Sequence, residues 1–303
     1  MAGCGNNETA GPDAENKTAA AFSGTSAVNS KTEYADINGR KIAYRSVGNG
    51  DVMILCQRFR GNLDSWDPAF LDELAKNYRV IVFDYTGFGL STGTAPSTMA
   101  VFANDVKDLC TYLKLDSIIL GGWSFGGAVA QVAMVQFPGL VTQTILLGTK
   151  PPGQTNHPME QVFLERSSKP HNDLDDEIIL FFEPTSAISR EAAKKSHERI
   201  AARTQDRDID IHPELWANYR MGFEDYAKDS AGILQKMMSS SIPMLVISAD
   251  HEVVFPPENW FELNRKLPTM QLVIIPQTGH GPHHQYPEMA ASYIHSFITN
   301  NKK

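Results

Sequence analysis

The first candidate for chemistry is Ser124, in the run Leu120-Gly121-Gly122-Trp123-Ser124-Phe125-Gly126-Gly127. An apolar stretch, residues 117–120, precedes it, and a helix-like segment, residues 128–137, follows. Strand, sharp turn and helix in that order present a hydroxyl at the tip of a strained turn, and glycines two before and two after leave room for so tight a bend. A serine so placed can attack a carbonyl carbon and carry the acyl group if three things surround it. It needs an imidazole to take its proton, a carboxylate to orient that imidazole, and backbone NH groups for the oxyanion. The C-terminal part of the chain holds the candidates: His280 in Thr278-Gly279-His280-Gly281, with His283 and His284 close by, and two carboxylates, Asp250 and Glu252.

The surrounding pattern supplies elements to position these groups. Residues 34–37 and 41–47 read as two strands joined by an Asn38-Gly39 turn, and residues 52–56 form a continuous apolar run suited to a strand buried on both faces. A helix is expected over 66–77, a strand over 80–83, a helix over 98–113, and strands over 117–120 and 141–147. Between Thr149 and Met238 the alternation stops, and residues 178–182, 188–203 and 213–227 read as helices. It resumes with apolar runs at 242–248 and 272–276. Strands alternating with helices imply an α/β fold with a mostly parallel sheet, helices on both faces, and a ligand site at the carboxyl ends of the strands.

Composition narrows the function classes. The chain has 303 residues, 42% of them hydrophobic, enough for one large domain or a core with an insertion. A formal charge of −8 without a basic cluster argues against a nucleic-acid partner. No apolar run approaches the roughly 18 residues that a membrane-spanning helix needs. Cys56 and Cys110 fall in apolar or amphipathic segments and read as buried thiols, and no metal or cofactor motif is present. Residues 1–30 are poor in large apolar groups and read as a disordered tether. Their start, Ala2-Gly3-Cys4, resembles the mature end of a bacterial lipoprotein. A lipidated Cys4 would anchor the protein to a membrane in the cell envelope or periplasm; a chance cysteine would leave it cytoplasmic.

The ordered set of motifs resembles the α/β-hydrolase superfamily. These are a loop after residues 52–56, Asp84-x-x-Gly87-x-Gly89-x-Ser91 after the next strand, the Ser124 turn, an acid after the penultimate strand and a histidine after the last. The resemblance runs from about Tyr34 to the C-terminus. It implies a core of residues 31–149 and 239–303 with a helical cap, residues 150–238, over the serine. Its Gly-His pattern selects His280. Its spacing, nine residues on from Pro243 and four before Pro256, selects Glu252, with Asp250 the alternative two residues away. The oxyanion donors implied are the NH groups of Phe125 and Phe59.

One departure stands out. Where the superfamily usually has His-Gly, this chain has Gln57-Arg58. Arg58 puts the loop geometry in question; its guanidinium either edges the pocket and favours an anionic substrate group, or, with Arg60, faces solvent or pairs with Asp64 and Asp67. In the cap, Phe181, Phe182, Trp216 and Tyr219, and with them Trp123 beside the serine, are candidates to line an apolar pocket or to pack as core. The implied activity is a serine hydrolase of the carboxylesterase kind, cleaving a small, largely apolar ester or lactone without a cofactor. Cleavage of an amide or carbon-carbon bond, or perhydrolysis, on the same residues is a second reading. A binding protein that keeps the fold with little turnover is a third.

Overall fold

A computed structural model describes Met1 and residues 26–302. The sheet opens with the hairpin β1 (Glu33–Ile37) and β2 (Arg40–Val47), followed by β3 (Asp51–Cys56). Then come α1 (Pro68–Ala75), β4 (Tyr78–Phe83), α2 (Met99–Tyr112), β5 (Ile118–Trp123), α3 (Phe125–Gln136) and β6 (Val141–Leu147). A helical insertion follows: α4 (Gln161–Ser167), α5 (Leu174–Phe181), α6 (Ala187–Ala201), a 3-10 turn at Pro213–Leu215, α7 (Trp216–Lys228) and α8 (Ile233–Met238). The chain closes with β7 (Met244–Ala249), α9 (Glu258–Phe261), β8 (Met270–Ile275), α10 (Pro282–Gln285) and α11 (Pro287–Asn300).

The eight strands lie in the order β1-β2-β4-β3-β5-β6-β7-β8. The β1–β2 and β2–β4 pairs are antiparallel and every pair from β4 to β8 is parallel. Side chains on a strand alternate between faces, so β3 sends Ile54 and Cys56 into one core and Met53 and Leu55 into the other. The first core lies under α2 and α3, where Phe102, Val106, Val129 and Val132 meet the sheet; the second lies under α1 and α11 with Phe70, Leu74, Ile294 and Phe297. Each fully buried side chain of this size contributes about 1.5–3 kcal/mol relative to exposure. That double burial explains why β3 and β5 read as unbroken apolar runs. Cys56 and Cys110 are free thiols, both buried, and burial pushes both up.

Three expectations need correction. The polar leader does not extend to residue 30. Ala27 and Ser30 are buried, the Ala27 NH donates to Asp72 at 2.6 Å, and Arg203 donates to the carbonyls of Ala27 and Ser30 at 2.5 and 3.0 Å. Ionic side chains and the packing of Ala27 against the core under α1 together hold this short segment, contacts that composition could not reveal. Cys4 and the rest of the expected tether lie outside the described residues. Second, β5 runs through the glycines to Trp123 and α3 starts at Phe125, directly after the serine. Third, α4, α8, α9 and α11 were not expected. The first three have seven residues or fewer and α4 buries none of its side chains, so they leave no periodic apolar signal. Helix α11, by contrast, runs for 14 residues and buries Ala290, Ala291, Ile294, Phe297 and Ile298, a stripe whose helical spacing was available in the sequence. Among the described residues no helix is long and apolar enough to cross a membrane.

Candidate active site

Ser124 sits between β5 and α3 with φ 58° and ψ −117°, a region that L-residues rarely adopt. Its NH donates to the Leu147 carbonyl at 2.9 Å, and its own carbonyl accepts from the NH groups of Gly127 and Ala128 at 3.0 and 3.3 Å. These bonds hold a conformation costing on the order of 1–3 kcal/mol. The flanking glycines are required by approach. A Cβ on Gly122 would fall 2.1 Å from the Gly126 carbonyl oxygen, and one on Gly126 would fall 2.0 Å from that of Cys56. The elbow is therefore pressed against the end of β3, where the loop carrying Phe59 begins.

Beyond β7, the chain turns so that Glu252 is almost wholly buried and faces His280. His280 Nδ1 lies 2.8 and 2.7 Å from the two carboxylate oxygens, and Oε1 also accepts from the NH groups of Val254 at 2.9 Å and Phe255 at 3.3 Å. Asp250, the alternative acid, is turned away. It contacts His251 Nδ1 at 2.7 Å and accepts from the Thr278 NH at 3.3 Å, and this bond to Asp250 holds the His251 imidazole above its ordinary range. His280 is fixed from two more sides. The Trp123 indole NH donates to its carbonyl at 2.8 Å, and the following NH, of Gly281, donates to the Phe181 carbonyl at 2.7 Å. His283 and His284 are buried behind Trp123, with ring centroids 4.7 Å from the indole.

Sequence reasoning missed Gly148, the residue after β6. It has φ 47°, and a Cβ there would meet the His280 carbonyl oxygen at 2.7 Å, its Nδ1 at 3.1 Å and Glu252 Oε2 at 3.2 Å. The only signal was a glycine closing an apolar strand.

The NH groups of Phe59 and Phe125 find no acceptor among the described residues, and both residues line a cavity with Ser124. Phe125 opens the twelve-residue α3, whose aligned peptide dipoles favour negative charge at that end. The doubt about Arg58 resolves at its neighbour: Arg60, at φ 60°, takes the left-handed conformation, and Arg58 stays outside it. Neither arginine pairs with Asp64 or Asp67. Asp64 is taken by Arg45 at 2.5 Å and Asp67 by Arg199 at 2.5 Å. Arg60 instead donates to the carbonyls of Ser167, Lys169 and Pro170 at 2.8–3.0 Å, with its guanidinium 4.1 Å from the centre of the Trp216 ring.

Two cavities meet at Ser124. One, of about 520 Å³, is lined largely by Phe125, Phe163, Trp216, Tyr219, Phe223 and Phe255. The other, of about 230 Å³, has Arg58, Arg60, Glu177, Phe181, Asp210 and His280 in its wall. Of the candidate contact residues, Arg58 and Phe181 thus face the small cavity and Trp216 and Tyr219 the large one. Trp123 and Phe182 line neither. Trp123 is buried beneath the Arg58 guanidinium and Phe181, and Phe182 packs with Ile178 and Ala193. Both border instead a third cavity, of about 210 Å³, with Arg58, Glu177 and His284 but without Ser124.

A mostly parallel, eight-stranded sheet with a serine elbow after β5 and a histidine loop after β8 defines a class of protein. The sequence profile of the alpha/beta hydrolase fold family matches residues 51–287, and the chain belongs to that family. It is 26% identical over 287 residues to a proline iminopeptidase of Pestalotiopsis fici, covering 88% of this chain and 99% of that one. It is 22% identical over 261 residues to a pimeloyl-[acyl-carrier protein] methyl ester esterase of Nitrosomonas europaea, covering 83% and 97%. An alpha/beta hydrolase fold protein from Chitinophaga pinensis superposes with a TM-score of 0.81 at 28% identity, over 90% of this chain and 99% of that one.

Proposed function

We propose that the protein is a serine hydrolase that cleaves a carboxylic ester or lactone of a small, largely apolar substrate through an acyl-enzyme. The observation carrying this reading is the contact of His280 Nδ1 with both oxygens of buried Glu252, on an imidazole that lines the same cavity as Ser124. A carboxylate on Nδ1 fixes that nitrogen as the donor and leaves Nε2 free to accept the serine proton. Ser124 then attacks the carbonyl carbon. The oxyanion is held by the NH groups of Phe59 and Phe125, and His280 protonates the leaving alcohol. Water activated by the same imidazole releases the acid. The large aromatic cavity supports an apolar acyl group, and the similarity to an esterase and an iminopeptidase keeps ester and amide substrates as the bonds to compare.

The test is the release of alcohol from activated aryl esters of short and medium acyl chains, with matched anilides alongside. A burst followed by steady turnover is expected, with Ser124→Ala lower by about 10⁵-fold or more while the fold survives. An alanine variant of undiminished activity overturns the assignment of Ser124. Faster turnover of the anilides moves the reading to amides.

A further inference from the structure

The reading above leaves one charged side chain at the site without a task. Arg58 lies in the wall of the small cavity beside Ser124 and His280, and it pairs with no carboxylate among the described residues. Its one hydrogen bond runs from Nη1 to the Phe59 carbonyl at 2.8 Å, and its Nε is buried with no partner. The guanidinium lies over the corner made by two aromatic rings, 4.8 Å from the centre of Phe181 and 5.2 Å from that of Trp123, which are themselves 5.2 Å apart. Those contacts orient it without neutralising it. Burial, and then the charge of Arg60, push it down to about 10, still cationic at neutral pH. An unpaired guanidinium in such surroundings is costly unless something visits it. The nearby acids make no ion pair with it, although the charge of Glu177, in the wall of the same cavity, reaches it. Glu177 contacts His197 Nδ1 at 2.8 Å, and no ion pair joins Arg58 to Asp210.

The division of the two cavities says which end of a substrate meets Arg58. The group that protonates the leaving oxygen must lie on the leaving-group side. His280 lines the small cavity and not the large one, whereas Phe125 lines only the large one. The acyl chain then occupies the apolar cavity and the alcohol the small one. Resting on the ester reading, we propose that the substrate is an ester of an apolar acid whose alcohol portion carries a carboxylate, bound by Arg58. One unpaired guanidinium with its Nη1 already donating to Phe59 matches a monoanion better than a phosphate dianion.

The experiment uses three esters with one medium acyl chain length: a benzyl ester, its 4-carboxybenzyl counterpart, and the benzyl half-ester of a dicarboxylic acid, which places the carboxylate at the acyl end. The wild-type protein is expected to favour the 4-carboxybenzyl ester. Arg58→Gln should lower the ratio of kcat/KM for 4-carboxybenzyl over benzyl by about 10- to 100-fold, the effect of one hydrogen bond to a charged group, and Arg58→Lys should restore part of it. A ratio avoids confusion with loop damage, which moves both substrates together. Should Arg58→Gln lose all activity, inhibition of the wild-type protein decides: 4-(hydroxymethyl)benzoate should inhibit benzyl ester hydrolysis at least about tenfold more tightly than benzyl alcohol. Benzyl ester hydrolysis with an unchanged ratio, or equal inhibition by the two alcohols, overturns the carboxylate proposal and leaves the ester reading standing. An Arg58-dependent preference for the half-ester overturns the orientation. No hydrolysis of any ester overturns both.

Discussion

Replacing Glu252 with glutamine changes a single oxygen to an amino group, and the structure says where that group must go. Oxygen Oε1 accepts from the Val254 and Phe255 NH groups at 2.9 and 3.3 Å, so an amide NH₂ placed there would oppose two donors. The amide oxygen therefore keeps that position and the NH₂ takes the place of Oε2, 2.7 Å from His280 Nδ1. Nδ1 then faces the NH₂ at 2.7 Å and the amide oxygen at 2.8 Å, and the NH₂, which can only donate, favours the tautomer with the imidazole proton on Nε2, the nitrogen proposed to take the proton of Ser124. The variant is isosteric and should fold, yet carry the wrong tautomer, and such a change lowers kcat by about 10⁴-fold, or roughly 5.5 kcal/mol of transition-state stabilisation. Asp250→Asn, which removes only a charge beside exposed His251, should stay within about tenfold of the parent. Steady-state turnover of an activated ester, with thermal unfolding to check the fold, measures both. A Glu252→Gln protein with more than a tenth of the parent kcat, or an Asp250→Asn protein weaker than it, refutes the tautomer argument.

Three further outcomes follow from the geometry. Gly148→Ala forces a Cβ to within 2.7 Å of the His280 carbonyl oxygen at a positive φ; it should lower kcat by about 10²-fold, as a displacement near 1 Å does, and normal turnover would show that the loop yields freely. His283 and His284 are fully buried and neutral, their basicity lowered first by desolvation, His284 to about 4 from an ordinary 6.5. As pH falls below 6.5 the unfolded chain binds these protons and the native protein does not, so stability should fall toward pH 4 by about 1.4 kcal/mol per pH unit per histidine. Asp84, pushed up by burial and then by Asp208, works in the opposite direction, so the diagnostic is a shallower fall of the unfolding free energy with pH, measured in urea at each pH, in His283→Phe than in the parent; equal pH dependence refutes it. Arg60→Ala removes three hydrogen bonds to the carbonyls at the end of α4 and just beyond it and should raise amide exchange across residues 161–169, with KM increased; unchanged exchange would mean that other contacts hold the helix.

The elbow was legible because its glycines stand at a fixed spacing about the serine; of the two, Gly122 answers a local demand, the Gly126 carbonyl, and Gly126 answers the Cys56 carbonyl, distant in sequence. The central strands were legible because both of their faces are buried. The need for glycine at 148 was not, since it arises where two loops distant in sequence approach each other. The same holds for Arg60: its type suggested a solvent charge or an ion pair, whereas its partners are three carbonyls that the fold brings to it. The choice between Asp250 and Glu252 depended on how a turn faces, and carboxylate chemistry alone does not decide it. Trp123 and Phe182 show the limit for aromatics. Size and hydrophobicity place them inside, and only packing says whether a ring meets substrate or core.

The Arg60 clamp has a consequence for the timing of the reaction. Helix α4 buries no side chain of its own, and the segment after it is tied to the loop beyond β3 through one guanidinium. The backbone of that residue follows directly on Phe59, the proposed oxyanion donor. A swing of α4 wide enough to admit substrate or release product must therefore release Arg60, and so loosen the loop that presents the Phe59 NH. Such a swing would weaken the proposed oxyanion contact of Phe59. Substrate would be committed to attack only after the helix has returned, and the exit of product would begin with the site relaxing its hold on negative charge.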